Sequence, residues 1–164
     1  MAEALLRHHL AAHGTDARVR SAGTMAWGGH ATSHAIEVMR DQGIDIAGHE
    51  SAQLTATVVE DADLVLGMTR QHVWGAVAVS AAATGRTFLI GELARLGREV
   101  GPRGHHEPVR DWVQRVAARR PPAPVVGRAE DEVPDPVGEP IGVYRQTAER
   151  LDRDLRAIAG LLNP

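Results

Sequence analysis

Asp135 is followed by Pro136, and that pair is the first place to look for chemistry. A proline fixes its own φ and biases the preceding residue toward extended backbone, so it can hold a carboxylate out of a loop. A carboxylate so held can give or take a proton, although Asp-Pro is also common in ordinary turns. Nine histidines offer a second possibility. His9 and His13 are four apart, as are His30 and His34, and on a helix that spacing puts two imidazoles on one face. No HExxH arrangement accompanies them and no third ligand is implied by spacing, so exposed polar residues are the leading reading. His105 and His106 lie among Gly and Pro and read as exposed. The acidic run Glu130-Asp131-Glu132 reads as a solvated loop. Gly28-Gly29 is no nucleotide signature: no GxGxxG follows a strand, and no GxxxxGK followed by Ser or Thr occurs. Cysteine is absent from all 164 residues, which removes disulfides, thiolate metal sites and redox pairs.

These residues must be positioned by secondary structure, and the hydrophobic pattern gives its outline. Leu5, Leu6 and Leu10 predict a helix over residues 2–12, stopped by Gly14. Residues 18–22 predict a short strand running into Gly23-Thr24. Ser33 is placed to cap a helix carrying Ala35, Ile36 and Met39, which Gly43 ends. Residues 55–61 predict a short helix. Leu64-Val65-Leu66 is a continuous apolar run, the pattern of a strand covered on both faces. Thr69 is placed to cap a helix from Arg70 to about Val77. Residues 87–90 predict another buried strand, and Pro108 opens a helix to Arg119. A proline-rich, acidic loop follows over 121–138. Ile141, Tyr144, Ala148, Leu151, Leu155, Ile158 and Leu162 form one apolar stripe on a long final helix. Strands alternating with helices predict an α/β fold with a parallel sheet.

Composition narrows the function. The length suits one domain with a sizeable core, here of Ala, Val, Leu and Ile because aromatics are only 3%. The net charge of −3 gives no reason to expect nucleic acid or a membrane surface as a partner. No apolar run approaches the ~20 residues of a membrane-spanning helix. The first residues lack a basic leader, so a cytoplasmic location is the default expectation.

Several segments together resemble one family. Met1-Ala2-Glu3-Ala4-Leu5-Leu6 resembles the helix after the phosphate loop of low molecular weight protein tyrosine phosphatases. Arg20-Ser21-Ala22-Gly23-Thr24, with Trp27, resembles that family's second strand and loop. Gly43-Ile44-Asp45-Ile46 with His49 and Ser51 is similar to its next segment. Ala62-Asp63-Leu64-Val65-Leu66, with Met68-Thr69-Arg70 and His72, resembles the following strand and turn. Phe88-Leu89 with Glu92-Leu93, then Val133-Pro134-Asp135-Pro136-Val137-Gly138 and Tyr144, complete the match. Residues 93–130 are not covered by it and read as an elaboration of a single phosphatase-like domain spanning 1–164.

The resemblance implies a three-layer α/β fold with a four-stranded parallel sheet flanked by helices. It implies hydrolysis of phosphotyrosine in proteins, or of small aryl phosphates, through a phosphocysteine intermediate and without a cofactor. Asp135 matches the general acid. Ser21 and His49 match residues that brace the phosphate loop, and Trp27 matches the aromatic wall beside the substrate ring. The nucleophilic Cys and the Arg of the family's CxxxxxR loop have no counterpart here, nor does the central strand before that loop. Both would precede Met1, so a start set inside a longer reading frame is the simplest expectation. The alternative is a pseudophosphatase that binds without catalysis. Two departures stand out: Val137-Gly138 replace the aromatic often found after Asp-Pro, which weakens a preference for phosphotyrosyl peptides, and the insertion around 93–130 is placed to reshape the mouth of the site. The redox cascade of arsenate reductases, which share the fold, has no cysteines to run on.

Overall fold

The computed structural model describes residues 1–24, 29–121 and 127–163. Helix α1 (Ala2–Ala12) buries Leu5, His9 and Leu10 against the final helix, α7 (Ile141–Leu162). It ends where Gly14 takes φ +69° and donates its N–H to the Ala11 carbonyl, a conformation open to glycine because it lacks a Cβ. Helix α2 (Ser33–Asp41) is capped by Thr32 and not by Ser33: the Thr32 hydroxyl accepts from the Ala35 N–H at 3.3 Å. The two hydroxyls are neighbours in sequence, and only the one with extended backbone can reach back to the helix. Thr55 caps α3 (Ala56–Asp61) in the same way.

Strand β1 (Val65–Gly67) leads into α4 (Arg70–Val79), a 3-10 turn over Ala81–Arg86, and strand β2 (Thr87–Leu89). The two strands pair in parallel, Val65 with Thr87, Leu66 with Phe88 and Gly67 with Leu89. Helices α5 (Ile90–Val100) and α6 (Val109–Ala117) follow, then a turn at Ala129–Asp131 and α7. The α/β class stands, with a parallel sheet flanked by helices. The sheet is smaller than the four strands the resemblance implies, since only β1 and β2 form a ladder among the described residues.

The strand expected at 18–22 does not form. The segment contributes no backbone ladder, and pairing begins only at its end, where Gly23 donates to Ala52 and accepts from Leu54, both at 2.8 Å. Extended backbone satisfies its N–H and C=O groups through a lateral neighbour. In that position lies a cavity of about 980 Å³, bounded by residues 15–22 on one side and 64–68 on the other. Leu6 and Leu10 of α1, Val58 and Val59 of α3, Ala76 of α4 and Leu155 of α7 line it.

The main core is closed. Tyr144, Ala148, Leu151, Leu155, Ile158 and Leu162 of the α7 stripe are buried as their spacing predicts, while Ile141 is half-buried. They meet Leu5 and Leu10 of α1, Val38 and Met39 of α2, Leu93 and Leu96 of α5, and Trp112, Val113 and Val116 of α6. Scarce aromatics do not make an aromatic-free core: Phe88 and Trp112 are fully covered, and the Trp112 indole donates to the Gly101 carbonyl at 2.9 Å. No helix among the described residues is long and apolar enough to cross a membrane.

Candidate active site

Ligand sites in open parallel sheets lie beyond the carboxyl ends of the strands. At that end of the cavity stand Ala2 and Glu3 from the first turn of α1, Ser21 and Ala22 from the extended segment, Met68 just after β1, and His72 of α4. The cluster centres on Glu3. Its carboxylate accepts from the Ser21 hydroxyl and from Arg7, one turn along α1. His49 Nδ1 lies 3.7 Å from Glu3 Oε2. Burial pushes the Glu3 carboxyl up, but Ser21, Arg7 and His49 outweigh it and hold the group below its ordinary value. Ser21 and His49, chosen from the sequence, therefore meet on one carboxylate that the sequence reading did not single out. The signal available for Glu3 was its spacing, since it forms an i, i+4 pair with Arg7.

Asp135 sits on the loop between the Ala129–Asp131 turn and α7. The loop is fastened just before the acid. Val133 is fully buried and donates its N–H to the Met68 carbonyl at 2.7 Å, tying the loop to the carboxyl end of β1. Pro134 and Pro136 flank Asp135, and Pro136 is buried. The Asp135 side chain is exposed, and its Oδ1 accepts from the Val137 N–H at 3.1 Å. That short turn engages one carboxyl oxygen, and among the described residues Oδ2 receives no hydrogen bond. No hydrogen bond or ion pair among the described residues joins Asp135 to the Glu3 cluster. The two share an end of the sheet without touching. Trp27, the expected aromatic wall, lies outside the described residues.

In the acidic run 130–132, Glu130 is exposed as its composition suggests, but Asp131 and Glu132 are not solvated loop residues. Asp131 is buried and receives the Arg95 guanidinium at 2.8 and 3.3 Å and the Arg128 N–H at 3.1 Å. Burial pushes its carboxyl up, yet Arg95 and the Arg128 amide hold it below its ordinary value. Glu132 reaches α4, where Oε1 accepts from the Arg70 N–H at 2.7 Å and Oε2 from its guanidinium at 3.0 Å. Both partners lie far away in sequence, so no local pattern reveals the pairing.

The histidine pairs gather no metal set among the described residues. His9 is buried with Nε2 at 2.8 Å from Asp152 of α7, and His34 packs edge-on against Tyr144. His72 serves structure too, its Nδ1 accepting the Thr69 N–H at 3.2 Å at the start of α4.

The profile of the low molecular weight phosphotyrosine protein phosphatase family matches residues 1–98. The chain belongs to this family. It is 31% identical over 160 residues to the protein-arginine-phosphatase of Bacillus subtilis (strain 168), which covers 97% of this chain and 85% of that protein. The probable low molecular weight protein-tyrosine-phosphatase EpsP of Ralstonia nicotianae is 40% identical over 94 residues, 57% of this chain and 62% of its own length. Among solved structures, a mutant of YwlE from Bacillus subtilis superposes with a TM-score of 0.70 at 29% identity, covering 96% of this chain and 85% of that one. The 164 residues contain no cysteine to act as nucleophile.

Proposed function

We propose that this chain provides the scaffold and the general acid of a protein phosphatase whose nucleophilic thiolate and phosphate-binding arginine arrive on a strand and loop filling the cavity beside β1. The observation that carries the reading is that three features lie at the carboxyl end of the sheet, where Ala2, Glu3, Ser21 and Met68 line the cavity. These are the first turn of α1, the Glu3–Ser21–His49 cluster, and the loop bearing Asp135, bound to β1 through Val133 and Met68. A helix start next to a loop of N–H groups favours a phosphate dianion and lowers a thiol's pKa. The thiolate forms a bond to phosphorus as the bond to the leaving atom breaks, and Asp135 gives that atom its proton. Water then attacks the phosphocysteine, Asp135 takes a proton from the water, and thiolate and inorganic phosphate separate. In this reading Ser21 and His49 brace the loop through Glu3, and Trp27 walls the substrate. The domain is one unit of 1–164, with 93–130 as an elaboration whose Trp112 and Val116 enter the shared core. Its proposed compartment is the cytoplasm.

Phosphotyrosine proteins and small aryl phosphates are the first substrate class. One observation favours a second. The arginine phosphatase matches this chain almost end to end, whereas the tyrosine phosphatase EpsP matches over 94 residues. Phosphoarginine in proteins is therefore the rival substrate, and Val137 stands exposed where an aryl group would meet an aromatic. The test is hydrolysis of phosphoarginine and phosphotyrosine peptides by this chain fused to a strand carrying a CxxxxxR loop. Asp135→Asn is expected to slow the fused protein by ~10²–10⁴-fold on either substrate. An unchanged rate removes Asp135 from the acid role. No turnover by the fused protein on any phosphate ester favours a binding module without catalysis.

A further inference from the structure

Glu132 stands three residues before Asp135, and its carboxylate does two things at once. It closes the start of α4 by accepting the Arg70 N–H at 2.7 Å, and it pairs with the Arg70 guanidinium at 3.0 Å. Arg70 is the first residue of that helix, so its N–H has no partner inside the helix. A carboxylate there also lies at the positive end of the helix dipole. A second donor at this helix start, the Thr69 N–H, is taken by His72. α4 itself is fixed to the sheet: Val73 and Ala76 are buried, and Gly67 of β1 packs so closely on Val73 and His72 that a Cβ there would lie 2.9 Å from the Val73 side chain. Glu132 thus binds the loop to a rigid body. The next residue, Val133, binds it to β1, and the previous one, Asp131, binds it to Arg95 of α5.

Of these three fastenings, Asp131 holds the loop to Arg95 of α5 and to the Arg128 N–H, and Val133 contributes its backbone and a buried isopropyl group. Among the described residues, Glu132 is the side chain that hydrogen-bonds the acid-bearing loop to α4. We propose that Glu132 is a positioning residue, whose latch on the start of α4 sets where the Asp135 carboxyl is presented at the sheet's carboxyl end. The latch stands on geometry alone. Its catalytic meaning rests on the reading of Asp135 as the acid.

The test is amide hydrogen exchange on the 164-residue chain, together with the 13Cγ resonance of Asp135. Glu132→Ala is expected to lower protection of the Val133 and Val137 amides by roughly 10- to 100-fold. Leu151, at the centre of α7, should keep its protection. The Asp135 resonance should move, because the loss of order breaks its bond from the Val137 N–H. Glu132→Gln keeps an acceptor for the Arg70 amide and should restore most of the protection and the resonance position. Arg70→Ala keeps the backbone donor and should have the smaller effect. Equal loss of protection in the loop and in α7 would reduce Glu132 to general stability and overturn the proposal, as would an unmoved Asp135 resonance. Failure of the fused protein to hydrolyse phosphate esters would leave these outcomes in place and would count against the phosphatase reading instead.

Discussion

Two regions of this molecule use the same aliphatic residues to opposite results. Around α5, α6 and α7, Leu93, Leu96, Val113, Val116, Leu151 and Ile158 are buried in contact with one another. Between residues 15–22 and β1, Leu6, Val19, Leu64 and Val65 face a cavity of about 980 Å³. The difference lies in the backbone. A helix satisfies its own N–H and C=O groups and needs only an apolar face to pack. An extended segment leaves half its groups to a lateral neighbour, so apolar side chains alone do not close the gap. The closed half therefore packs through helix faces, while the open half keeps a cavity beside β1.

The largest expected effect is in the closed half. Trp112→Ala removes a fully buried indole and its bond to Gly101, and should cost about 3–5 kcal/mol in urea unfolding. A loss below about 1 kcal/mol would mean that this half does not carry the fold. Glu92→Ala should follow closely. Glu92 is buried and receives Arg120 through both guanidinium contacts at 2.9 Å, while Arg120 also lies 3.9 Å over the Phe88 ring. Stripping one partner from such a pair costs roughly 3 kcal/mol, and Arg120→Ala made in the same background should then add little.

An intermediate effect depends on pH. The carboxyls of Glu3, Asp131 and Glu132 are all held below their ordinary values. A depressed folded value contributes stability that is present above the unfolded value and is lost as pH falls through the folded one. Stability should therefore decline from about pH 4.5 downward, and Asp131→Asn should flatten its share of that decline. A wild-type curve flat to pH 3 would contradict the ion-paired loop. Glu107 offers a local check, because Arg115 and the Gly104 N–H hold its carboxyl at about 2; its 13C resonance should show an ionised group throughout the decline.

The smallest effect belongs to the open half. Val19→Ala, at a half-buried position on the cavity wall, should cost under about 1 kcal/mol, less than two fully buried methylenes. Once a strand is fused into the cavity, the same substitution should cost more. An equal cost in both forms would mean that the strand lies elsewhere.

The same contrast explains what the sequence revealed. Helical periodicity is local, so the α7 stripe and the stops at Gly14 and Gly43 are read directly from spacing. Residues 18–22 form no ladder, because a ladder is a property of two segments and the second is not in that pattern. α5 escaped notice because Phe88-Leu89-Ile90 reads as one strand, whereas the chain turns into a helix at Ile90. At the site, Ser21, His49 and Asp135 were nominated by the family resemblance. Glu3 and Glu132 were not, because their roles arise from partners brought by folding: Ser21 and His49 to one, Arg70 to the other. The acidic composition around Glu132 pointed the wrong way, toward solvent.

The most direct measurement is p-nitrophenyl phosphate turnover by the purified 164-residue chain, before and after fusion to an aliphatic strand ending in a CxxxxxR loop. The account predicts no turnover by the chain alone and turnover by the fusion that Asp135→Asn suppresses. Hydrolysis by the chain alone, with no thiol in it, would contradict the claim that this fold works only with a thiolate at the mouth of the cavity.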